Sequence, residues 1–314
     1  MKRSLAYYSL LMAVALWVIL PACDHKEIVW PDGTPHQVEL RFMWDNYPEA
    51  DPEGMTVYFF PLDGNSRIWR FDITGKDGGP VAIPAGRYSM LAYNNDLPGV
   101  TESNLSELTQ ATASAVDHNG IIQGTGPLYA GVISRVDVTP CGVNYVTETD
   151  EVKECPCSLL RCHPTPRFCT YNVEVRDLEG ADMIRKSSVT LQSVAGAVRL
   201  STGELLPPEM SLDVALGRAS STLSGASTAF GVLPSTEKIV ARLNVTRNDG
   251  VILHKHYDVT RQVLDAPDPR NVTVVIDSVS IPSPDQPPFP GDDPDVGITV
   301  GVDGWYVINI DILT

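Results

Sequence analysis

Cys23 is the residue whose chemistry its neighbours specify most sharply. It follows Leu20-Pro21-Ala22, so a small residue precedes the cysteine and a leucine stands three before it. An uninterrupted apolar run of 11 residues, Leu10 to Leu20, comes directly before, and Lys2 and Arg3 come before that. The run is too short to cross a bilayer comfortably, which takes about 20 residues, and it matches the apolar core of a secretion signal. The pattern is a bacterial lipobox, with Pro21 a mild departure. It predicts that the Cys23 thiol takes a diacylglycerol, that the peptide is cut after Ala22, and that the new amine is acylated. Several acyl chains, palmitate among them, hold a protein to a membrane stably where one does not. The competing reading is an ordinary secretion signal followed by a structural cysteine. Asp24-His25-Lys26-Glu27 then make a charged tether, which weakly matches a surface-export signal.

Five further cysteines, Cys141, Cys155, Cys157, Cys162 and Cys169, cluster in mid-chain. Export favours disulfides, so these are candidate bridge partners, with one thiol left over by the odd count. Cys155 and Cys157 stand too close in sequence to bridge each other easily, and spacing does not decide the pairs. A metal reading with His163 lacks the paired CxxC spacing of zinc sites; inert thiols are the remaining alternative. His254 and His256 lie two apart on a predicted strand and so share a face, with no third ligand evident. No metal and no cofactor is predicted.

The chain has no GxSxG, no HExxH, no phosphate-binding loop and no dinucleotide fingerprint after a strand. A non-enzymatic protein is predicted. Asp292, Asp293 and Asp295 sit among prolines without the glutamate spacing of a calcium loop and read as a solvated linker. Asp277-Ser278-Val279 matches the short O-glycosylation pattern of Bacteroidetes, a pattern that also arises by chance. With the signal removed, 21 basic residues stand against 39 acidic ones, a net of −18. That charge repels phosphate backbones and anionic membrane surfaces, so no nucleic-acid partner is expected.

The elements that carry these residues are strands. Val38, Leu40, Phe42 and Trp44 alternate with Gln37, Glu39, Arg41 and Met43, the period of a half-buried strand. Met55–Phe60, Arg67–Ile73, Arg87–Asn94 and 128–139 follow, with turn signals between them. From Cys169 the pattern resumes through Ser188–Ser193, Gly196–Leu200, Thr228–Leu233, Ile239–Asn244, Val251–Val259 and Asn271–Val279. Short strands with regular turns and no strand–helix alternation indicate an all-β chain of sandwich type. Only Ser103–Ala115, capped by Ser103 or Asn104, and Pro207–Leu216 invite a turn or two of helix. The predicted organisation is a signal peptide 1–22, a lipidated tether 23–36, a first domain 37–140, a Cys/Pro-rich irregular junction 141–167, a second domain 168–281, a Pro/Asp linker 282–295 and a terminal hairpin 296–314. That hairpin turns at Asp303-Gly304, with Ile298, Val300, Val302, Trp305, Ile308, Ile310 and Ile312 along it. It either completes the second domain's own sheet or is offered to a partner as an added strand.

Several segments together carry a resemblance: VELRFMW after the lipobox, IPAGRYSMLAYN at 83–94, the Tyr129-Ala130-Gly131 step, PTPRFCTYNVEVRDLEG at 164–180 and GVLPSTEKIVARLNV at 231–245. The chain resembles the fimbrillin-superfamily lipoproteins of Bacteroidales, of the FimB-like fimbrial anchor or minor-subunit type. The resemblance spans most of the mature chain. It implies two tandem transthyretin-like, Greek-key β-sandwich domains, display on the outer membrane through the lipid on Cys23, and fimbrial subunits as partners. It also implies that pilin subunits lose an N-terminal strand and exchange strands, whereas anchors keep theirs. Arg41 and Arg67 are the basic residues nearby, and neither makes a compelling cleavage site. The cysteine cluster departs from the family pattern. A carbohydrate-binding surface lipoprotein of a polysaccharide-uptake system is the alternative; it would need flat exposed rings, for which Trp69, Tyr88 and Tyr93 are the candidates.

Overall fold

The structure, a computed structural model, describes residues 33–64, 67–146, 152–155, 158–285, 289–291, 299–302 and 305–308. Residue 146 and the pieces at 152–155, 289–291, 299–302 and 305–308 are described as backbone only. The signal peptide, Cys23, Cys157, the Asp292–Asp295 cluster, Ile298, Ile310 and Ile312 lie outside the described residues.

β1 (Pro35–Phe42), β2 (Gly54–Pro61), β3 (Trp69–Thr74), β4 (Gly78–Pro84) and β5 (Gly86–Asn94) follow one another in the first part of the chain. β6 (Val100–Ser103), β7 (Thr112–Ala115), β8 (Asp117–His118) and β9 (Ile121–Ile122) are short. β10 (Tyr129–Thr139), β11 (Gly142–Val146), β12 (Val152–Cys155), β13 (Leu159–Cys162) and β14 (Thr165–Pro166) come next. β15 (Cys169–Val175), β16 (Ile184–Arg199), β17 (Leu205–Ala219), β18 (Thr222–Ala229), β19 (Val240–Arg247) and β20 (Ile252–Asp258) lead to the short helix α1 (Thr260–Leu264). β21 (Asn271–Ile276), β22 (Phe289–Gly291), β23 (Thr299–Val302) and β24 (Trp305–Ile308) complete the order.

The fold is all-β. One sheet runs β12-β11-β10-β5-β2-β3, and a small one runs β13-β1-β4. A large sheet runs β21-β15-β18-β17-β16-β19-β20-β24-β23-β22. In β1 the predicted alternation holds: Val38, Leu40 and Phe42 are buried while Gln37, Glu39 and Arg41 are exposed. β2 and β5 are apolar on both faces because both faces are covered. Met55, Val57, Phe59, Met90 and Ala92 enter one core with β1, whereas Tyr58, Phe60, Leu91 and Tyr93 join the core of the large sheet.

Three sequence expectations give way here. Within Ser103–Ala115 a single turn forms, where the Gln110 and Ala111 amides both donate to the Glu107 carbonyl. Ser103 ends β6, and Thr112–Ala115 form β7, which pairs Ala113 with Val198 of β16 and buries Ala113 and Ala115. Pro207–Leu216 is not helical but lies in β17, where Leu212 and Val214 are buried at strand spacing against β16. A long ladder outweighs weak helix propensity. The junction 141–167 is not irregular: β11 and β12 extend the first sheet, and β13 runs parallel to β1. Its strands are too short to show a period, and Leu160 and Cys162 are buried only because β1 and β10 stand over them.

The segment 100–122 packs on the large sheet and its core. β7 adds to β16, β9 runs parallel to β17, and the Leu200 and Ser211 amides donate to the Ala111 and Gly120 carbonyls. The linker 282–295 contains β22, which pairs with β23 at Phe289–Gly301.

Candidate functional site

The seat of β1 is built from both sides. Antiparallel pairing with β4 runs from Pro35–Pro84 to Arg41–Gly78, and parallel pairing with β13 runs from Glu39–Leu159 to Phe42–Cys162. Val38, Leu40 and Phe42 point into the core and are 1%, 0% and 5% exposed, so the strand is sealed rather than laid on the surface. Burying side chains of this size stabilises by about 1.5–3 kcal/mol each. Two glycines allow the close approach. A Cβ on Gly78, whose φ is +102°, would lie 2.1 Å from the Leu40 carbonyl oxygen, and one on Gly131 would lie 2.5 Å from Cys162 Sγ. The latter is a physical reason for the small residue in the Tyr129-Ala130-Gly131 step.

The edges of the large sheet are treated differently at its two ends. At β21, the Gln262 carboxamide of α1 accepts from the Val275 amide at 2.7 Å and donates to the Val275 carbonyl at 3.0 Å. One side chain thus occupies the outward backbone groups of an edge strand, which removes a template for pairing. At the other end β24 lies antiparallel to β20, pairing Leu253 with Val307 and His254 with Tyr306, and turns back as β23. The base of the segment leading to this hairpin is fastened. Arg247, 4% exposed, donates to the Pro282 carbonyl at 2.6 Å and to Asp249 at 2.5 Å. The hydrogen bond from Arg247 holds the Asp249 carboxyl below the usual carboxylate range.

The remaining predicted chemistry is not brought together. Cys141 is exposed and Cys169 half-buried, and both carry free thiols among the described residues. Cys169 instead faces the Phe230 carbonyl, and burial pushes its thiol up to about 11. Cys162 is buried in the β1 core, and Cys155 falls on β12 opposite Val143. The His254 and His256 rings share a face with centroids 5.6 Å apart, but no group of three or more metal-ligating side chains gathers among the described residues. Trp69, Tyr88 and Tyr93 are 7%, 2% and 2% exposed and so make no sugar platform. Tyr88 donates to the Pro84 carbonyl and Tyr93 stacks on Tyr58. Burial pushes the Tyr93 phenol far up. A cleft of about 550 Å³ opens where β2, β5 and β10 meet the turn at 106–109, lined by Phe60, Leu62, Ile68, Leu108 and Val132, with the Glu107 carboxylate beside them.

Sequence reasoning missed Gln262 and Arg247. Gln262 lies in five helical residues between strands, with no local pattern pointing at an edge. Arg247 falls where the alternation of Ala241, Leu243 and Val245 calls for an apolar residue, a break in pattern that could have marked it, but its partner Pro282 is not legible locally.

A protein-family model described as a domain of unknown function, DUF5119, matches residues 22–214. A curated relative from Bacteroides ovatus, provisionally named fimbrium anchoring subunit Fim4B, is 27% identical over 119 residues, which is 38% of this chain and 35% of the relative. The chain therefore spans about 35% of the length of the curated relative it matches. Among solved structures, a protein provisionally called an adhesin from Bacteroides ovatus superposes with a TM-score of 0.61 at 17% identity, over 84% of this chain and 99% of that one. A protein from Bacteroides thetaiotaomicron, provisionally called polysaccharide binding, superposes with a TM-score of 0.51 at 12% identity, over 78% of this chain and 91% of that one. At these identities the likeness is one of fold.

Proposed function

The chain belongs to the DUF5119 family, and from that premise we propose that it is a surface-exposed lipoprotein, held in the outer membrane by acyl chains on Cys23, that serves a fimbria as its anchor or as a minor, adhesive component. It is non-enzymatic and assembles by β-strand pairing. Its two tandem sandwich domains project from the membrane, and other fimbrial subunits are its partners. The similarity to a fimbrium anchoring subunit supports the role.

The observation that carries the reading is the seat of β1. A subunit that receives a partner's strand needs a vacant groove in its own sheet. Here the groove between β4 and β13 is filled by the chain's own β1, with Leu40 wholly buried. A protein that keeps this strand closes its membrane-proximal end and must meet the fibre elsewhere. The terminal hairpin is the candidate. Among the described residues β24 pairs with β20 at Leu253 and His254, whereas β19 pairs with β20 over the whole run from Val240 to Thr246. Fewer shared bonds make it the more exchangeable strand. Val300, Val302, Trp305 and Ile308 on it, with Ile298, Ile310 and Ile312 beside them in sequence, are then the partner-facing residues.

The anchor reading is tested by growing cells on labelled palmitate. The wild-type chain should carry label in the membrane fraction, and Cys23→Ser should lose both label and membrane association. Equal labelling of the two forms sinks the lipid anchor and the reading with it.

A further inference from the structure

We propose that Ser278 is an acceptor site for O-linked glycan, modified by a glycosyltransferase from an activated glycosyl diphosphate donor.

Asp277 is the one aspartate in the chain followed directly by serine or threonine. Three structural observations turn this sequence pattern into a presented site. First, Asp277 and Ser278 are both exposed, whereas Val279 is 0% exposed and anchors the segment in the core. Second, the backbone is fastened on either side. The Arg176 amide donates to the Ile276 carbonyl at 2.9 Å, and the Glu179 amide donates to the Val279 carbonyl at 2.8 Å. The pair between these points stands out as a short rigid loop after β21. Third, Ser278 sits at φ +58°, in the left-handed region, where a non-glycine residue is uncommon and carries a small strain. Among the described residues its hydroxyl has no hydrogen-bond partner that would account for that conformation.

The chemistry balances simply. The Ser278 Oγ attacks the anomeric carbon of the donor and a carbon–oxygen bond forms. The bond from that carbon to the diphosphate breaks, and its electron pair leaves with the diphosphate. The hydroxyl proton passes to a base of the transferase. A bulky, hydrated glycan at this point costs no buried contact, and it stands at the end of β21, the edge that Gln262 already covers at Val275. The sugar would extend that protection along the edge.

The assignment rests on the export reading, because the acceptor must meet a transferase outside the cytoplasm. The full chain, purified from the membrane fraction of a Bacteroides host labelled with palmitate, is cut before aspartate, which frees residues 277–284. The expected result is a saccharide mass increment on this peptide. The increment should be lost in Ser278→Ala and in Asp277→Asn, where the cut falls back to Asp268 and the peptide read is 268–284, kept in Ser280→Ala, and absent from a form lacking residues 1–22. An unmodified peptide from palmitate-labelled protein overturns the site while leaving export standing. An unmodified peptide from protein that takes up no palmitate overturns both.

Discussion

Gln262 and Val275 are joined by two hydrogen bonds, the side-chain amide matching the backbone amide as a neighbouring strand would. This pairing explains how the outer side of β21, an edge strand, is kept from pairing with another chain. Replacing Gln262 with alanine should cost about 1 kcal/mol, the usual net worth of a hydrogen bond, because water replaces part of what is lost at this exposed edge. The larger effect should be association. Sedimentation of Gln262→Ala at high concentration should show dimers or larger species that the wild type lacks. A monomer at all concentrations would mean that other features guard the edge.

The seat of β1 gives a stability prediction. Leu40→Ala removes a side chain that is 0% exposed, and losses of this kind cost about 2–5 kcal/mol. Gly78→Ala should be comparably severe, since its Cβ would meet the Leu40 carbonyl oxygen at 2.1 Å with a φ of +102°. Denaturant melts of both variants, with trypsin cleavage at Arg41 as a second readout, should show early unfolding and release of β1.

Arg247 should govern acid stability through Asp249. The folded carboxyl lies below the ordinary value of 3.8 because Arg247 donates to it. A depressed folded pKa contributes stability that is full above the unfolded value and is lost as pH falls through the folded one. Urea melts should therefore show the wild type more stable than Asp249→Asn at neutral pH, with the gap closing below about pH 4. A gap that persists there would assign the effect to packing instead of charge.

The Cys141 and Cys169 thiols should react very differently. Cys141 is exposed, whereas the Cys169 thiol is pushed up to about 11 by burial. At pH 8 only about a thousandth of Cys169 would be thiolate, the reactive form. Iodoacetamide should label Cys141 within minutes and Cys169 only after denaturation. Comparable rates on the native protein would contradict the burial of Cys169.

The hairpin is tested by deleting residues 296–314. The truncated protein should fold, reach the membrane and fail to enter fimbriae. Normal incorporation at normal stability would show that partners are held by another edge.

Much of this protein is readable one residue after another. The period-two run from Val38 to Phe42, the all-β character and the hairpin pairing of Val302 with Trp305 depend on local order alone, because a strand's faces alternate wherever the strand is placed. What stayed hidden depended on distant partners. Ser103–Ala115 and Pro207–Leu216 carry weak helical composition, and only the ladders to β16 made strands of Thr112–Ala115 and of all of Pro207–Leu216. Leu159–Cys162 is too brief to show a period, and it became a strand because β1 offered an edge to it. The Gln262–Val275 pairing and the hold of Arg247 on Pro282 each join residues separated by other elements. A hydrogen bond across such a gap is decided by where the chain returns, which no local pattern records.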